Sequence, residues 1–379
     1  MTQQTRTARP EADPSIILPT PERDELRTVV AQFVARHGSH EAVRQSTESD
    51  TGYSEARWRK LNEELQVAAL AVPEHLGGHG FGFADLGVVL EETGAALLPE
   101  PVLVSAVVAG QALVRADDPD SVSDLLGAVM EGSRTIGVSL DGQVTLSADT
   151  VATGGAGPVV NGIVEGVLWG QAVDSLVVVA ASGEQTMLVV VDLADAERRD
   201  REVVDLTRRR ADLHLVDSPA RVLVDAARVV DVVRELNLIT RATLAAEHAG
   251  IAARLLDDTV AYVSQRHQFG RSIGSFQAIK HRLADMLVDR ERARSAAMYA
   301  LAVLDEDAAS DVDLAVAVAS AVCADAVRRS AYEAIQLHGG IGFTWEHSAH
   351  FYLRRALGDE GAFGGGREAR RSIADLVGV

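Results

Sequence analysis

Apolar residues recur every three or four positions in the first and last thirds of the chain, which predicts helices with one buried face. The first helical region runs from about Pro21 to Ala116 and opens with PERDELRTVVAQFVARHG, where a proline and acidic residues mark a first turn. The second runs from Val232 to the end of the chain. Its periodic segments predict a bundle of four or five helices, one of them a short helix from about Trp345 to Arg355.

The pattern changes between about Glu131 and Val230, where short valine-rich runs are separated by clusters of glycine, aspartate and serine. Such runs predict an antiparallel β-barrel or sandwich of roughly a hundred residues. The strands do not alternate with helices, so a parallel dinucleotide-binding sheet is not expected. The charged stretch from Asp192 to His214 is expected to be a loop with a solvated face.

The predicted fold class is therefore α+β, with helical domains before and after a β domain. We expect a disordered tail over residues 1–19 and an N-terminal helical domain over 20–126. The middle antiparallel β-barrel or sandwich domain should cover 127–230, and a C-terminal four-helix-bundle domain 231–379.

The amino-acid composition limits the kinds of molecule that the protein is expected to bind. A net charge of −19 over 379 residues argues against nucleic-acid binding, which needs a basic face. No apolar run is long enough for membrane insertion. The single cysteine, Cys323, excludes an internal disulfide and fits a buried thiol in a reducing cytoplasm. His338, His347 and His350 are expected to act as cap, surface and stacking residues, so no metal site is predicted.

One stretch, RHQFGRSIGSFQAIKHRLAD, joins two predicted helices and begins at Arg266. Phe269 and Gly270 are expected to end the first helix, and Ser275 to cap the second. The junction is therefore a glycine-marked turn at one end of an antiparallel helix pair.

The side chains of this turn suit a phosphate-bearing ligand. Arg266 and Arg271 flank Gln268 and Gly270, and Gly274 follows, so the turn offers charge-assisted donors and close backbone approach. A structural alternative is that Arg266 caps a helix carbonyl and Gln277 is a solvated residue of a first helical turn.

These residues carry a resemblance to a known family. The stretch RHQFGRSIGSFQ resembles the R-x-Q-F-G … F-Q signature of the acyl-CoA dehydrogenases, and QLHGGIGF resembles their Q-x-x-G-G-x-G motif. The resemblance covers most of the chain and implies FAD as cofactor, bound partly across a subunit interface. The residues that it assigns to FAD binding are Arg266, Gln268, Phe269, Gln277, Gln336, Gly339 and Gly340.

The chain departs from the family at the catalytic base. The usual glutamate position falls at Phe363, and the alternative position used by some relatives falls at about Thr240. Neither is a carboxylate. Glu247 lies one heptad beyond the second position, and Asp359 and Glu360 lie close to the first, so these carboxylates are the candidates. Each of them is also readily explained as a solvated or capping residue.

The β region departs as well. GVSLDGQVTL stands where the family has a Thr-Glu-Pro stretch, and the W-I-T motif beside the flavin ring is reduced to Trp169. Both losses fall on the flavin ring, whereas the motifs that reach a neighbouring subunit's flavin are present.

The resemblance implies an oxidoreductase, an FAD-dependent acyl-CoA dehydrogenase or a subunit of one. It would desaturate the α,β bond of an acyl-CoA thioester in fatty-acid or sterol side-chain β-oxidation, with hydride transfer to flavin. Electron-transfer flavoprotein is the expected acceptor, and the expected assembly is a homotetramer or a heterotetramer with a paralogous subunit. Two alternatives remain open, a non-catalytic partner subunit and a flavin-dependent monooxygenase on the same fold.

Overall fold

The computed structural model describes residues 14–147, 157–306 and 311–379. The tail expected over residues 1–19 lies mostly outside this part, and Pro14–Ile17 form one turn of 3-10 helix. The α-helices of the described residues are α1 (Pro21–His37), α2 (His40–Thr47), α3 (Glu55–Leu65), α4 (Phe83–Ala95), α5 (Gly110–Val114), α6 (Ser123–Met130), α7 (Val229–Gln265), α8 (Gln277–Leu304), α9 (Val312–His338), α10 (Ala349–Phe363) and α11 (Gly366–Val377).

The chain divides into two compact units. One comprises Met1–His40, Gly82–Leu98 and Arg241–Val379, and the other comprises Glu41–Phe81 and Pro99–Thr240. We call them the bundle unit and the sheet unit. The domain limits expected from the sequence stay a prediction.

The sheet unit contains one sheet of six strands, and nearly all of the neighbouring strands pair antiparallel. Their order is β2-β1-β3-β4-β6-β5, and an additional pairing of β2 with β6 closes a ring of five strands into a barrel. Alternate residues of these strands fill the barrel with valine and leucine side chains. The strands are β1 (Ile136–Ser147), β2 (Val159–Leu168), β3 (Ser175–Ser182), β4 (Gln185–Asp192), β5 (Glu197–Arg201) and β6 (Arg210–Val224).

Two features of the sheet differ from the sequence prediction. β1 and β3 pair in parallel, so the barrel is not antiparallel throughout. The charged stretch after Asp192 is not only a loop, because β5 pairs with the first residues of β6. An edge strand needs no apolar face to pair through its backbone, which is why five mostly charged residues can form one.

The bundle unit is organised around α7. All side chains from Ala242 to Ala252 are buried, so this part of the helix is surrounded by other helices. Glycines allow α4 to approach α7 closely: a Cβ atom on Gly250 would lie 2.0 Å from the carbonyl oxygen of Glu91. α8, α9, α10 and α11 complete the bundle that the apolar periodicity predicts.

Some helix ends differ from the prediction. α7 ends at Gln265, before Phe269 and Gly270. α10 begins at Ala349 rather than at Trp345, because the preceding residues form a separate 3-10 turn and bends. Within the described residues, no helix is both long and apolar enough to cross a membrane.

Candidate functional site

The stretch that begins at Arg266 folds into a tight hairpin between α7 and α8. Its two short strands are β7 (His267–Gln268) and β8 (Arg271–Ser272). At the tip, Phe269 and Gly270 have φ angles of 53° and 77°, as in two-residue hairpin turns that need positive φ at both positions. This conformation costs a phenylalanine about 1 kcal/mol. The hairpin thus holds a strained residue whose side chain is 91% exposed.

The hairpin presents cations and aromatic rings to its surroundings. The side chains of Arg266 and Gln268 are exposed, and Arg266 forms no ion pair within the described part of the chain. The guanidinium carbon of Arg271 lies 4.0 Å from the centroid of the Phe276 ring. The ring of Phe269 meets the same ring edge-on at 6.1 Å. Such a surface suits a ligand with both anionic and aromatic parts.

The start of α8 differs from the expected capped helix. Ser275 does not cap α8, because its hydroxyl donates to the carbonyl of Ser272 at 2.6 Å. The helix begins at Gln277, and Phe276 before it supplies no side-chain cap. Gln277 is exposed, and its Nε2 atom lies 3.5 Å from Nε2 of His281. The amide predicted to bind cofactor therefore lies on the outside of the bundle, beside the hairpin.

The second motif lies where α9 ends. Gln336 is exposed on the last turn of the helix, and Gly339 follows it with a φ angle of 64°. A Cβ atom placed on Gly339 or on Gly340 would meet nothing within 4 Å. The backbone of these glycines is open to a ligand or to another chain.

Both motifs leave the bundle at the same end. The ring of Tyr262 stacks on that of His338 with 4.4 Å between centroids, and its hydroxyl donates to the His338 carbonyl at 3.3 Å. Tyr262 lies one helical turn before Arg266, and His338 directly precedes Gly339. We call this end the motif surface. It comprises the predicted cofactor-binding residues Arg266, Gln268, Phe269, Gln277, Gln336, Gly339 and Gly340.

Glu247, the first candidate base, is enclosed within the bundle unit. It is 4% exposed and its carboxylate accepts a hydrogen bond from Nη1 of Arg355, which is 1% exposed. A Cβ atom on Gly94 would lie 2.4 Å from Cγ of Glu247, so α4 packs directly against it. This ion pair joins α7 to α10, and the carboxylate is not open to a substrate.

The two carboxylates near the end of α10 have different surroundings. Asp359 is 1% exposed, and its Oδ2 atom lies 3.1 Å from Nε2 of His248, so it too is paired inside the bundle. Glu360 is exposed and lines a cavity of about 80 Å³ together with His248 and Arg367. Small-molecule sites usually have roughly 300–1,000 Å³. The cavity beside Glu360 is too small for a thioester substrate.

The two positions that the resemblance assigns to a catalytic base hold no acid. Phe363 is the last residue of α10 and is half-buried. The hydroxyl of Thr240 donates to the carbonyl of Leu236 one turn earlier in α7, at 2.7 Å. Neither side chain can remove a proton from carbon at neutral pH.

Trp169 in the sheet unit is part of the core. It is 2% exposed and its Nε1 atom donates to the carbonyl of Pro99 at 2.7 Å. The turn after it is fixed from β5, because Nη1 of Arg198 donates to the carbonyls of Gly170 at 3.0 Å and Val173 at 2.9 Å. The carbonyl groups of this turn are therefore already bound by a side chain of the same unit.

Arg355 and Arg198 fix the surroundings of the candidate residues, and the sequence reasoning did not identify either. A signal for Arg355 exists, because it shares one face of α10 with Tyr352 and Asp359, which are three and four residues away and are also buried. Arg198 lies in a run of charged residues where no such pattern marks it. Among the residues that the structure describes, no three His, Cys, Asp or Glu side chains group as a metal site.

Known proteins are similar to this chain in sequence and in fold. A family model described as the acyl-CoA dehydrogenase N-terminal domain matches residues 20–132, and one described as the C-terminal domain matches residues 230–376. Acyl-CoA dehydrogenase IpdE2 of Mycobacterium tuberculosis is 35% identical over 363 residues, covering 95% of this chain and 98% of the relative. IpdE2 of Mycolicibacterium smegmatis is 36% identical over 352 residues, covering 93% and 97%.

A solved structure agrees with these matches. The crystal structure of the ChsE4-ChsE5 complex from Mycobacterium tuberculosis superposes with a TM-score of 0.86 at 28% identity, covering 96% of this chain and 98% of that one. The chain belongs to the acyl-CoA dehydrogenase family. The predicted fold class is confirmed, with the parallel β1–β3 pairing as the difference. The predicted cofactor, FAD, is confirmed at the level of the family.

Proposed function

We propose that the chain is the accessory subunit of a heteromeric acyl-CoA dehydrogenase and that its motif surface completes the FAD site of a paralogous subunit. The observation that carries the proposal is the exposed guanidinium of Arg266, which forms no ion pair among the described residues and lies at the same end of the bundle as two open glycines. These groups are exposed at the end of the bundle, which leaves them open to a cofactor that another chain holds. The ChsE4-ChsE5 complex supports the proposal, because this relative pairs two different chains.

The residues of the motif surface fit the anionic part of FAD. The guanidinium of Arg266 is suited to a pyrophosphate oxygen, and the open backbone at Gly339 and Gly340 allows close approach of a dinucleotide. The side-chain amides of Gln268 and Gln277 add neutral donors. The exposed ring of Phe269 offers an apolar contact for the adenine or for the partner chain.

The same chain is poorly equipped for chemistry of its own. Of its candidate bases, Glu247 is enclosed in an ion pair, and the exposed Glu360 faces a cavity of only about 80 Å³. In the sheet unit, Trp169 is turned into the core instead of toward a ring-shaped ligand. The proposal therefore assigns the base and the flavin-ring contacts to the paralogous subunit.

In this proposal the complex desaturates an acyl-CoA thioester of a fatty acid or sterol side chain. Bound FAD supplies the hydride acceptor that no protein side chain can provide. Arg266 and the glutamines would hold the dinucleotide in place, and the paralogous subunit would supply the base for the α proton. Electron-transfer flavoprotein would be the acceptor of the electrons. This assignment favours the accessory role over a self-sufficient dehydrogenase and over oxygen chemistry on the same fold.

The experiment is an Arg266→Ala substitution in the chain co-purified with its paralogous partner. Loss of one charge-assisted hydrogen bond weakens the binding free energy of FAD by about 1.5–3 kcal/mol, so its dissociation constant should rise about 10- to 150-fold. The dissociation constant of FAD for the Arg266→Lys complex should lie between those of the unmodified and the Arg266→Ala complexes, because an ammonium keeps the charge but loses the planar donor pair. FAD affinity is measured by fluorescence titration of the apo-complex.

Arg292→Ala is the matched control. Arg292 is also exposed and on α8, but it lies about 22 Å along the helix from Gln277. It should leave FAD affinity unchanged. An Arg266→Ala complex that binds FAD as tightly as the Arg292→Ala complex would show that the motif surface is not part of a flavin site.

A further inference from the structure

The residues between α9 and α10 are fastened by a series of ring contacts that the proposed function does not use. The centroids of His338 and His347 lie 4.3 Å apart, and Tyr262 covers the other face of His338 at 4.4 Å. Further along, the ring of Trp345 meets that of His350 edge-on at 4.9 Å. We call these five residues the ring cluster.

The ring cluster holds one functional segment in place. Residues 339–348 connect α9 to α10 and include Gly339 and Gly340 of the motif surface. This segment has little regular structure beyond the 3-10 turn Gly339–Phe343. Its large apolar side chains, Phe343 and Trp345, are 75% and 54% exposed. Ring contacts of His347 with His338, and of Trp345 with His350 and Phe351, are therefore a large part of what keeps it against the bundle.

His347 performs a second task at the start of α10. Its Nδ1 atom accepts a hydrogen bond from the backbone N–H of Ala349, the first residue of the helix, at 3.1 Å. Ser348 supplies no side-chain cap, so His347 satisfies a helix N-terminal amide in its place. An imidazolium has N–H at both ring nitrogens and cannot accept this bond. Its positive charge would also oppose the helix dipole.

His350 is in the first turn of the same helix and is only 9% exposed. Neither of its ring nitrogens has a hydrogen-bond partner among the described residues. Burial lowers its pKa, and Arg354 one turn later lowers it further, while the nearby carbonyl of His347 acts in the opposite direction. These surroundings thus favour the neutral ring.

The groups around His347 also favour the neutral ring. Burial lowers its pKa most, followed by the neighbouring ring of His338. Asp258 on α7 acts in the opposite direction, but its carboxylate is already paired with Arg254 at 2.8 Å. His40, at the start of α2, lowers the pKa of both His347 and His350. Protonation of one ring therefore opposes protonation of the next.

We propose that His347 and His350 form a pH-sensitive latch, which keeps residues 339–348 and the first turn of α10 on the bundle when neutral and releases them when protonated. The direction of the pH effect follows from the linkage between proton binding and opening of the segment. The latched state binds protons more weakly than the open segment, so it is fully favoured above the ordinary histidine pKa of about 6.5 and weakens as the pH falls below it. Acid therefore loosens the part of the motif surface that carries the two glycines.

The latch is tested on the full chain by amide hydrogen exchange at pH 8 and pH 5, with protection factors that correct for the intrinsic effect of pH. Each imidazole that only the open segment can protonate favours opening by up to about 30-fold at pH 5. We expect protection of residues 339–352 to fall at least about tenfold on acidification. Protection within α7 and α8 should fall far less.

Two substitutions remove the titrating rings without removing the contacts. His347→Asn keeps an acceptor near the position of Nδ1, and His350→Leu keeps an apolar side chain in a site that offers no hydrogen bond. The double variant, and His347→Asn alone to a smaller degree, should keep its protection at pH 5. His75→Asn, at an exposed histidine outside the cluster, should respond to pH like the unmodified chain.

Either of two results would overturn the latch. The first is unchanged protection of residues 339–352 in the unmodified chain down to pH 5. The second is an equal loss of protection in the double variant, which would assign the pH response to other groups.

Discussion

Substitution of Glu247 tests whether its carboxylate has a structural or a catalytic role. Glu247 and Arg355 are 5% and 1% exposed at their side chains and pair with each other inside the bundle unit. Removal of either partner leaves a buried charge without compensation, which destabilises a protein by about 3–5 kcal/mol. We expect Glu247→Leu and Arg355→Met each to lose stability of this size in urea unfolding of the full chain.

The double variant gives the sharper result. With Leu at 247 and Met at 355, two apolar side chains of similar volume replace the ion pair, and such replacements are often neutral or stabilising. The double variant should therefore be more stable than either single variant by about 3 kcal/mol or more. Glu48→Gln is the control, because Glu48 pairs with Arg44 on the surface at 3.6 Å. It should change stability by less than about 0.5 kcal/mol.

Activity of the double variant decides the role of the carboxylate. In the co-purified complex, turnover of acyl-CoA per bound flavin should stay within a few fold of the unmodified complex. Loss of a general base lowers a rate by about 10²- to 10⁴-fold. A loss of this size in a double variant that is stable and binds FAD would identify Glu247 as the base and refute the structural assignment.

Three further predictions concern packing, reactivity and strain. Gly250→Ala should destabilise the chain by about 1–3 kcal/mol in calorimetry, because its Cβ atom would lie 2.0 Å from the carbonyl oxygen of Glu91. Gly127→Ala in α6, where the Cβ atom meets nothing within 4 Å, should instead stabilise it by about 0.5–1 kcal/mol, and equal shifts would contradict this packing. Cys323 is fully buried, burial raises its pKa, and its thiol should react with a disulfide reagent only after unfolding; rapid labelling in native buffer would disprove its enclosure. Phe269→Asn should leave the thermal stability of the lone chain unchanged or slightly higher, since asparagine tolerates positive φ, but it should weaken association with the partner subunit in sedimentation. Unimpaired association would show that the exposed ring has no partner.

The sequence predicted the elements that rest on local patterns. Long apolar stripes located α7, α8 and α9, and valine-rich runs located most strands, because each pattern needs only neighbours along the chain. The two motifs also led to residues that do share one end of the bundle. Their common position follows from Tyr262 and His338, whose contact joins residues 76 positions apart.

Features that depend on distant partners could not be read from the sequence. The parallel pairing of β1 with β3 is decided by how the barrel closes and leaves no local signal. Glu247 was considered as an open carboxylate, but its state depends on Arg355, 108 positions later in the chain. The predicted start of α10 at about Trp345 is too early, because Trp345 and His347 belong to the ring cluster before the helix.

The ratio of FAD to protein tests the accessory role most directly. The chain is purified alone and together with its paralogous subunit, and flavin absorbance is compared with protein concentration in each preparation. The account predicts little or no FAD in the lone chain, and one FAD for each pair of unlike chains in the complex, bleached by an acyl-CoA substrate. About one FAD per chain in the protein alone, bleached by an acyl-CoA, would contradict it and identify a self-sufficient dehydrogenase.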